Sequence, residues 1–231
     1  MARVSKRFKQ FAEKVPTDLL SIEEAIALMK DIYVPVKFDE TVDVVIKLGT
    51  DPKKGEHSVR GSVSLRNGTG KQIKIGVFAE GEDADKALKA GAFVAGADNL
   101  IQKVSEGVVD CDVYIATPAM MPKISKIAKV LGPRGIMPNP KSGTVSADVV
   151  AAVSEFVKGK VTFKNDKAGY IAAGVGKFSF EAAKLSGNIE DLIASVRSLR
   201  PSTFKGKLIE SVRISSTMGP SFGIVLSSLG I

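Results

Sequence analysis

The stretch KQIKIGVFAEG, residues 71–81, decides the fold, because its pattern breaks with that of the segment before it. It is a nearly continuous apolar run that stops at a glycine, which is typical of a strand buried on both faces. Residues 40–48, ETVDVVIKL, instead alternate between apolar and polar side chains. That alternation predicts a strand with one buried and one polar face. The chain therefore contains two kinds of sheet.

Helix and strand patterns alternate through the middle of the chain. After the buried strand come a helical pattern, another strand, and two further helical patterns, at residues 82–92, 109–118, 119–135 and 146–159. Strands that alternate with helices predict a small parallel α/β unit.

The two ends of the chain share a different, antiparallel style. A helix is predicted at residues 21–31, a hairpin that turns at 165–169, and a helix that Asn188 caps and Pro201 ends. Two strands follow, joined by SSTMGP, residues 215–220.

We therefore predict one discontinuous α+β domain, residues 1–67 with 160–231, and one inserted α/β domain, residues 68–159. Two chain crossings join these domains. Glycines at 68, 70 and 159 suit a hinge at those crossings, because glycine adopts conformations closed to other residues.

Charge is distributed unevenly between the predicted domains. Residues 68–159 hold 11 Lys+Arg and 10 Asp+Glu, a net charge of +1, whereas the rest holds 22 and 15, a net charge of +7. A basic surface favours a polyanionic partner, most often nucleic acid, although solubilising lysines give the same excess.

Catalytic and metal sites are hard to build from this sequence. Its one histidine, His57, stands in a polar loop, and its one cysteine, Cys111, stands in an alternating strand. The stretch NGTGKQ does not match a phosphate-binding loop. Leu65 stands where the motif needs glycine, and Gln72 stands where it needs Ser or Thr. We expect no enzyme, metal or cofactor, no disulfide, no membrane partner and a cytoplasmic location.

The polar face of the terminal domain suits RNA. Alternation turns Ser211, Arg213 and Ser215 outward together. Hydroxyls and a guanidinium on one open face match the 2′-hydroxyls and phosphates of RNA. The side chains expected to join them are Lys37, Thr41, Lys164 and Lys167. Phe38 and Met218 each have two interpretations from spacing alone, an RNA-contacting apolar group or a core residue.

Four motifs together resemble the family of bacterial universal large-subunit ribosomal protein one, found on the mobile stalk beside the tRNA exit site. They are TDPKKGEHSVRGSVSLRNGTGK (50–71), GPRGIMPNPKSGTV (132–145), GKVTFKNDKAGYIAAGVGKFSF (159–180) and SSTMGP (215–220). The resemblance implies a terminal RNA-binding domain and an inserted, Rossmann-like three-layer α/β domain.

The resemblance also implies partners and site residues. The partners are 23S rRNA of the stalk, exit-site tRNA, and the mRNA of its own operon, which the protein represses; free of the ribosome it is expected to be a monomer. The implied RNA contacts are Lys37, Phe38, Thr41, Ser211, Thr217, Met218 and Gly219, with Asp166 and Lys167 as further candidates.

Two positions depart from the family pattern. Arg66 and Asn67 replace Pro-His, which we expect to loosen the hinge, and Ala172 replaces a histidine, which puts an RNA contact there in doubt. Two alternatives stay open: an enzyme with its site between two domains, and a translational repressor that acts free of the ribosome. A tRNA contact at residues 132–145 also stays open.

Overall fold

The chain divides into two compact units in the computed structural model. One comprises Met1–Lys71 with Val161–Ile231, and the other Gln72–Lys160. The structure describes residues 11, 14–16, 18–32, 36–50, 58–201, 204 and 206–229. His57 lies outside these residues. The mixed α/β fold class predicted from the sequence is confirmed, and the assignment of 1–67 with 160–231 to an RNA-binding domain stays a prediction.

Strands and helices are numbered along the described part of the chain. The strands are β1 (Thr41–Leu48), β2 (Arg60–Ser64), β3 (Ile75–Phe78), β4 (Val94–Gly96), β5 (Val113–Ala116), β6 (Lys160–Lys164), β7 (Tyr170–Lys177), β8 (Ile209–Ser216) and β9 (Ser221–Ile224). The α-helices are α1 (Ile22–Asp31), α2 (Glu82–Lys89), α3 (Asp98–Ser105), α4 (Met121–Ile124), α5 (Ala128–Leu131), α6 (Val149–Val157) and α7 (Ala182–Ser198).

The terminal unit is built on an antiparallel sheet with the strand order β7-β1-β8-β9. Alternation in β1 buries every second residue, as predicted: Val42, Val44, Ile46 and Leu48. Helices α1 and α7 pack their apolar side chains into the same core. Ser21 begins α1 with a reciprocal cap, in which its hydroxyl accepts from Glu24 N at 3.3 Å and its N–H donates to the Glu24 carboxylate at 3.0 Å. The other face of the sheet is the polar face of the alternation.

Helix α7 begins before the predicted cap. Asn188 lies inside the helix and is fully buried, so its prediction as an N-cap was wrong. The reason is that its side-chain amide serves tertiary contacts: it donates to the carbonyls of Val175 at 2.7 Å and Gly68 at 2.9 Å, and accepts from Asn67 N at 3.1 Å. A polar side chain that joins three segments can be buried without a free donor or acceptor.

The predicted hairpin turns where expected, but its strands join different sheets. β6 pairs with β2 in a two-stranded sheet, and β7 pairs with β1. Only the isolated bridge between Asn165 and Ile171 links the two arms within the described residues. Pairing with β2 places Phe163 and Val63 in the core that α7 covers. Burial of these side chains favours the separation of β6 from β7.

The inserted unit has a parallel sheet with the order β4-β3-β5. All four residues of β3 are buried, because helices cover both faces of the sheet. Side chains of α2 and α6 share one core with Ile75 and Val77, and side chains of α3 to α5 share another with Phe78. This layered arrangement is the one that parallel sheets require.

The sequence patterns missed β4 and α3, which are three and eight residues long. The single helix predicted at residues 119–135 is instead a run of short 3₁₀ and α turns from Pro118 to Leu131. Pro122 lies within that run and has no N–H to donate to a continuous helix. Among the described residues, no helix is long and apolar enough to cross a membrane.

Candidate nucleic-acid interface

Two segments far apart in the chain meet at one end of the four-stranded sheet. Thr41 opens β1, and Thr217 follows β8 directly. Thr217 N donates to Thr41 O at 3.0 Å, Thr41 N donates to the Thr217 hydroxyl at 3.1 Å, and that hydroxyl donates to Thr41 O at 3.2 Å. The predicted residues at the start of β1 and in the SSTMGP turn therefore form one surface, which we call the sheet-end surface (residues 37–41 and 217–220).

Glu40 supports this surface from beneath. Its side chain is fully buried, and its carboxylate accepts a hydrogen bond from Met218 N at 3.1 Å. Its backbone carbonyl accepts from Phe178 N at 2.8 Å. Burial of a polar group is costly unless hydrogen bonds satisfy it, so the β8–β9 turn and Glu40 stabilise each other.

Phe38 and Met218 are exposed, which decides between their two interpretations. Their exposed fractions are 51% and 52%, so neither is a core residue. Lys37 beside Phe38 is also exposed. Two half-exposed apolar side chains on a hydrogen-bonded frame are available to pack against a partner.

A lysine and a carboxylate that sequence reasoning missed complete the sheet-end surface. Lys177, at the end of β7, donates to Asp39 O at 3.2 Å and to the Thr41 hydroxyl at 3.3 Å. The Asp39 carboxylate accepts from Ser179 N at 3.2 Å and from its hydroxyl at 2.8 Å. Sequence patterns could not place Lys177 beside Thr41, because this pairing depends on the register of β7 against β1.

Gly219 leaves no room for a larger residue. A Cβ on Gly219 would overlap the hydroxyl oxygen of Ser216, while the Ser216 Cβ lies at an ordinary contact distance of 3.5 Å. Gly219 N also donates to Ser216 O at 3.1 Å. The glycine is therefore needed for the close approach of the turn to the end of β8.

Strand register places the other predicted residues of β8 along the open face of the sheet. Ser215 is paired with Asp43, and Arg213 with Val45. Burial raises the pKa of the Asp43 carboxyl. Arg213 donates to the Ser221 hydroxyl at 3.3 Å. Arg213 and Ser215 thus form a polar strip that leads away from the sheet-end surface.

Ser211, Asp166 and Lys167 lie at the opposite end of the sheet. Ser211 and Tyr170 both pair with Lys47, six residues along β1 from Thr41. At about 3.4 Å per residue the two ends are about 20 Å apart.

The Asp166 carboxylate is hydrogen-bonded within its own turn. Its carboxylate accepts from Tyr170 N at 2.8 Å and from Ala168 N at 2.9 Å. Neighbouring Lys167 and Lys164 are exposed. The predicted contact residues therefore form two groups at opposite ends of the sheet, with Arg213 and Ser215 between them.

The two departures from the family pattern have different surroundings. Arg66 donates two side-chain hydrogen bonds to Asp191 on α7, at 2.9 and 2.5 Å, and Asn67 donates to Lys184 O at 3.1 Å. These contacts fasten the segment to α7, and the expectation that the two replacements loosen the hinge stays a prediction. Ala172 is exposed on the open face beside Val45.

The titratable side chains of Cys111 and Tyr114 belong to the core of the inserted unit. Cys111 is buried, and burial raises its pKa and that of Tyr114. In the loop of residues 132–145, the buried Thr144 accepts from Asn139 N at 2.7 Å, and Lys141 is exposed. In the described ranges, no group of three or more His, Cys, Asp or Glu residues could hold a metal ion.

Comparison with known proteins identifies the family. The profile of the Ribosomal protein L1p/L10e family matches residues 28–220. The chain is 52% identical over 204 residues to the large ribosomal subunit protein uL1 of Chlamydia abortus, covering 88% of each chain. Its identity to the protein of the same name is 48% in Protochlamydia amoebophila, over 98% of this chain and 96% of the relative, and 45% in Hahella chejuensis, over the full length of both. The chain belongs to the Ribosomal protein L1p/L10e family.

Proposed function

We propose that this chain is a structural, non-catalytic protein of the large ribosomal subunit that binds rRNA of the mobile stalk through the sheet-end surface. Its relatives are named large ribosomal subunit proteins, and it matches them over nearly their whole length. The observation that carries the rRNA-binding proposal is the junction of Thr41 with Thr217, which places two separate groups of predicted contacts on one surface.

The chemistry of the sheet-end surface supports RNA as the ligand. Exposed Phe38 and Met218 can pack on ribose or base faces, while Lys37 and Lys177 supply positive charge. The net charge of +7 outside residues 68–159 favours a polyanion. Contacts to phosphate and sugar fix orientation, and groove and base contacts add specificity.

The second cluster supports a second contact. Ser211 stands about 20 Å from Thr41 along β1, and Lys164 and Lys167 flank the turn that leads into β7 at that same end of the sheet. We assign them to a separate rRNA segment, with Asp166 holding the turn that presents Lys167.

Two further partners follow from the family resemblance. The chain contacts exit-site tRNA, and it represses its own operon by binding an mRNA structure similar to the rRNA site. As it binds each RNA as a monomer, a single sheet-end surface serves both the rRNA and the mRNA.

Protection mapping on large-subunit rRNA tests the main proposal. The native chain should protect one compact region, and Met218→Ala should lose protection at part of it. Leu88→Ala is the matched control, because Leu88 is similarly exposed, at 47%, in the inserted unit. Protection unchanged by Met218→Ala but lost with Leu88→Ala would overturn the assignment of the surface.

Competition tests the shared surface. A leader fragment of the operon mRNA should displace the rRNA fragment in proportion to its concentration. A ternary complex of protein, rRNA and mRNA in sedimentation would contradict one shared site, and a dimer of the free protein would contradict the monomer.

A further inference from the structure

Four large apolar side chains of the inserted unit lie at its surface. Leu88, Phe93, Val150 and Val157 are between 41% and 59% exposed. Leu88 belongs to α2, Val150 and Val157 belong to α6, and Phe93 directly precedes β4. Both helices already bury other apolar side chains in the core beneath them, so core packing does not account for these four.

The four side chains form one patch around Gly91. Gly91 N donates to Leu88 O at 3.2 Å, and a Cβ on Gly91 would lie 3.8 Å from Val157 Cγ2. Apart from its chain neighbours, no other atom of the described residues lies within 4 Å of that position. Phe93 follows Gly91 by two residues, and Val150 lies seven residues before Val157 on the same face of α6. We call this open surface the α2–α6 patch (residues 88, 91, 93, 150 and 157).

Lysines without an ion-pair partner surround the α2–α6 patch. Lys74 Nζ lies 5.0 Å from the centre of the Phe93 ring. Lys89 and Lys158 are exposed at the C-terminal ends of α2 and α6. None of these three lysines forms an ion pair with another described residue. A lysine at a helix C-terminus complements the helix dipole, but the dipole does not account for the exposed apolar side chains between the lysines.

The carboxylates of the two helices are paired or distant from the patch. Glu155 of α6 forms an ion pair with Lys160 at 2.7 Å. The acidic residues of α2 lie in its first turn, at the end of the helix opposite to Leu88. The free charges at the C-terminal ends of both helices are therefore positive, and they complement a negatively charged partner.

The composition of the α2–α6 patch favours a protein partner over RNA. Protein interfaces have an apolar core that is poor in charge and a polar rim, and this patch has that arrangement. RNA binding depends mainly on phosphate contacts and stacking on aromatic rings. The patch contains a single aromatic ring, that of Phe93, and residues 68–159 have a net charge of only +1.

We propose that the α2–α6 patch binds an acidic amphipathic segment of another protein. Apolar side chains of that segment cover Leu88, Phe93 and Val157, and its carboxylates pair with the surrounding lysines. A helix with apolar residues at i, i+3 and i+7 and acidic residues elsewhere has this chemistry. The inference concerns the inserted unit and does not depend on RNA binding by the terminal unit.

Selection from a library of random helical peptides tests the proposal with the full-length protein. Peptides that bind the native chain but not a variant carrying both Leu88→Ser and Val157→Ser depend on the patch. We expect these peptides to be acidic, with apolar residues at helical spacing. A selection that yields no patch-dependent peptides, or only basic ones, would overturn the proposal.

Single variants then separate the apolar and the charged contributions. Phe93→Ser and Val157→Ser should each weaken binding of a selected, fluorescein-labelled peptide by at least about 5-fold in anisotropy titrations. Lys158→Glu should also weaken binding, and it should reduce the dependence of affinity on salt. Val108→Ser is the matched control, because Val108 is similarly exposed in the same unit, and it should stay within about 2-fold. Circular dichroism and urea unfolding confirm that each variant is folded.

Two competing occupants give different results. Displacement of the selected peptide by an excess of unstructured RNA would show that the patch takes nucleic acid. A concentration-dependent dimer of the native chain that Val157→Ser abolishes in sedimentation would show that a second copy covers the patch. Either result, or equal effects of Val108→Ser and Val157→Ser on peptide affinity, would overturn the assignment to an acidic segment of another protein.

Discussion

A hydrogen bond joins Glu40 to Met218, yet Glu40 is buried and Met218 is exposed. Glu40 is fully buried and holds the turn, whereas Met218 extends its side chain into solvent. Stability and RNA affinity should therefore respond differently when each side chain is removed. The long apolar side chain of Met218 is not explained by packing inside the protein.

Met218→Ala should weaken binding of the rRNA fragment by about 1–3 kcal/mol. The free energy of unfolding should stay within about 0.5 kcal/mol of the native value, because the side chain is exposed. Titration of the fragment and urea unfolding measure the two effects. A loss of stability with unchanged affinity of the folded protein would show that Met218 is a packing residue.

Glu40→Ala should destabilise the protein by about 1–3 kcal/mol, because the partly buried Met218 N–H loses its acceptor. Glu40→Gln retains an acceptor oxygen of similar shape and should lose less. Urea unfolding of both variants checks this order. Equal stability of Glu40→Ala and the native chain would mean that the carboxylate does not support the turn.

Helix α7 fastens the connection that leaves the terminal unit. Asn188 binds Asn67 and Gly68 from a buried position, and Asp191 binds Arg66 at the surface. Gly68 and Gly70 have positive φ angles of 66° and 67°, which suit glycine. The connection is thus hydrogen-bonded to α7 up to Gly68.

Asn188→Ala should cost about 2 kcal/mol or more, because it orphans polar groups in a buried site. Ser186→Ala on the same helix is the control and should stay within about 0.5 kcal/mol. Thermal and urea unfolding measure the difference. Similar stabilities for the two variants would rule out Asn188 as the main anchor.

The contribution of Asp191 should depend on pH. Hydrogen bonding from Arg66 lowers the pKa of the Asp191 carboxyl. A carboxyl with a native pKa below its unfolded value of about 3.9 stabilises the fold above that value, and the effect disappears as pH falls through the native pKa. The native chain should therefore exceed Asp191→Asn in urea midpoint at about pH 7, and the difference should shrink as the pH falls below about 3.9. A constant difference across this range would contradict the ion-pair mechanism.

Local patterns predicted elements better than the partners of those elements. The alternation of β1 and the continuous apolar run of β3 predicted their burial, because side-chain direction follows from strand geometry. Asn188 was misassigned because a polar residue before an apolar run resembles a cap unless its tertiary partners are known. Burial of Glu40 and the pairing of β6 with β2 likewise depend on contacts distant in sequence.

At the sheet-end surface, the sequence predicted candidate contact residues but not the residues that support them. Phe38, Thr41, Thr217 and Met218 were predicted from motifs, and the structure brings them together. The distance of about 20 Å from Thr41 to Ser211 was not predicted, because motif matching carries no distances.

The division of the whole chain predicts that the terminal unit can act alone. A variant that joins residues 1–67 to 160–231 through a short linker should fold and keep most of the affinity for the rRNA fragment. Residues 68–159 by themselves should bind weakly, since their net charge is +1. Circular dichroism and fragment titration check both pieces. Equal affinities would show that the RNA-binding domain has been assigned wrongly.

Pairing of β1 with β7 and β8 sets the order in which a growing chain can become active. The inserted unit is one continuous segment, Gln72–Lys160, and can fold as soon as it is synthesised. The sheet must wait for β8 and for the turn after Ser216, which follow the inserted unit in sequence. A nascent chain therefore has no complete sheet-end surface until residue 220 has been synthesised.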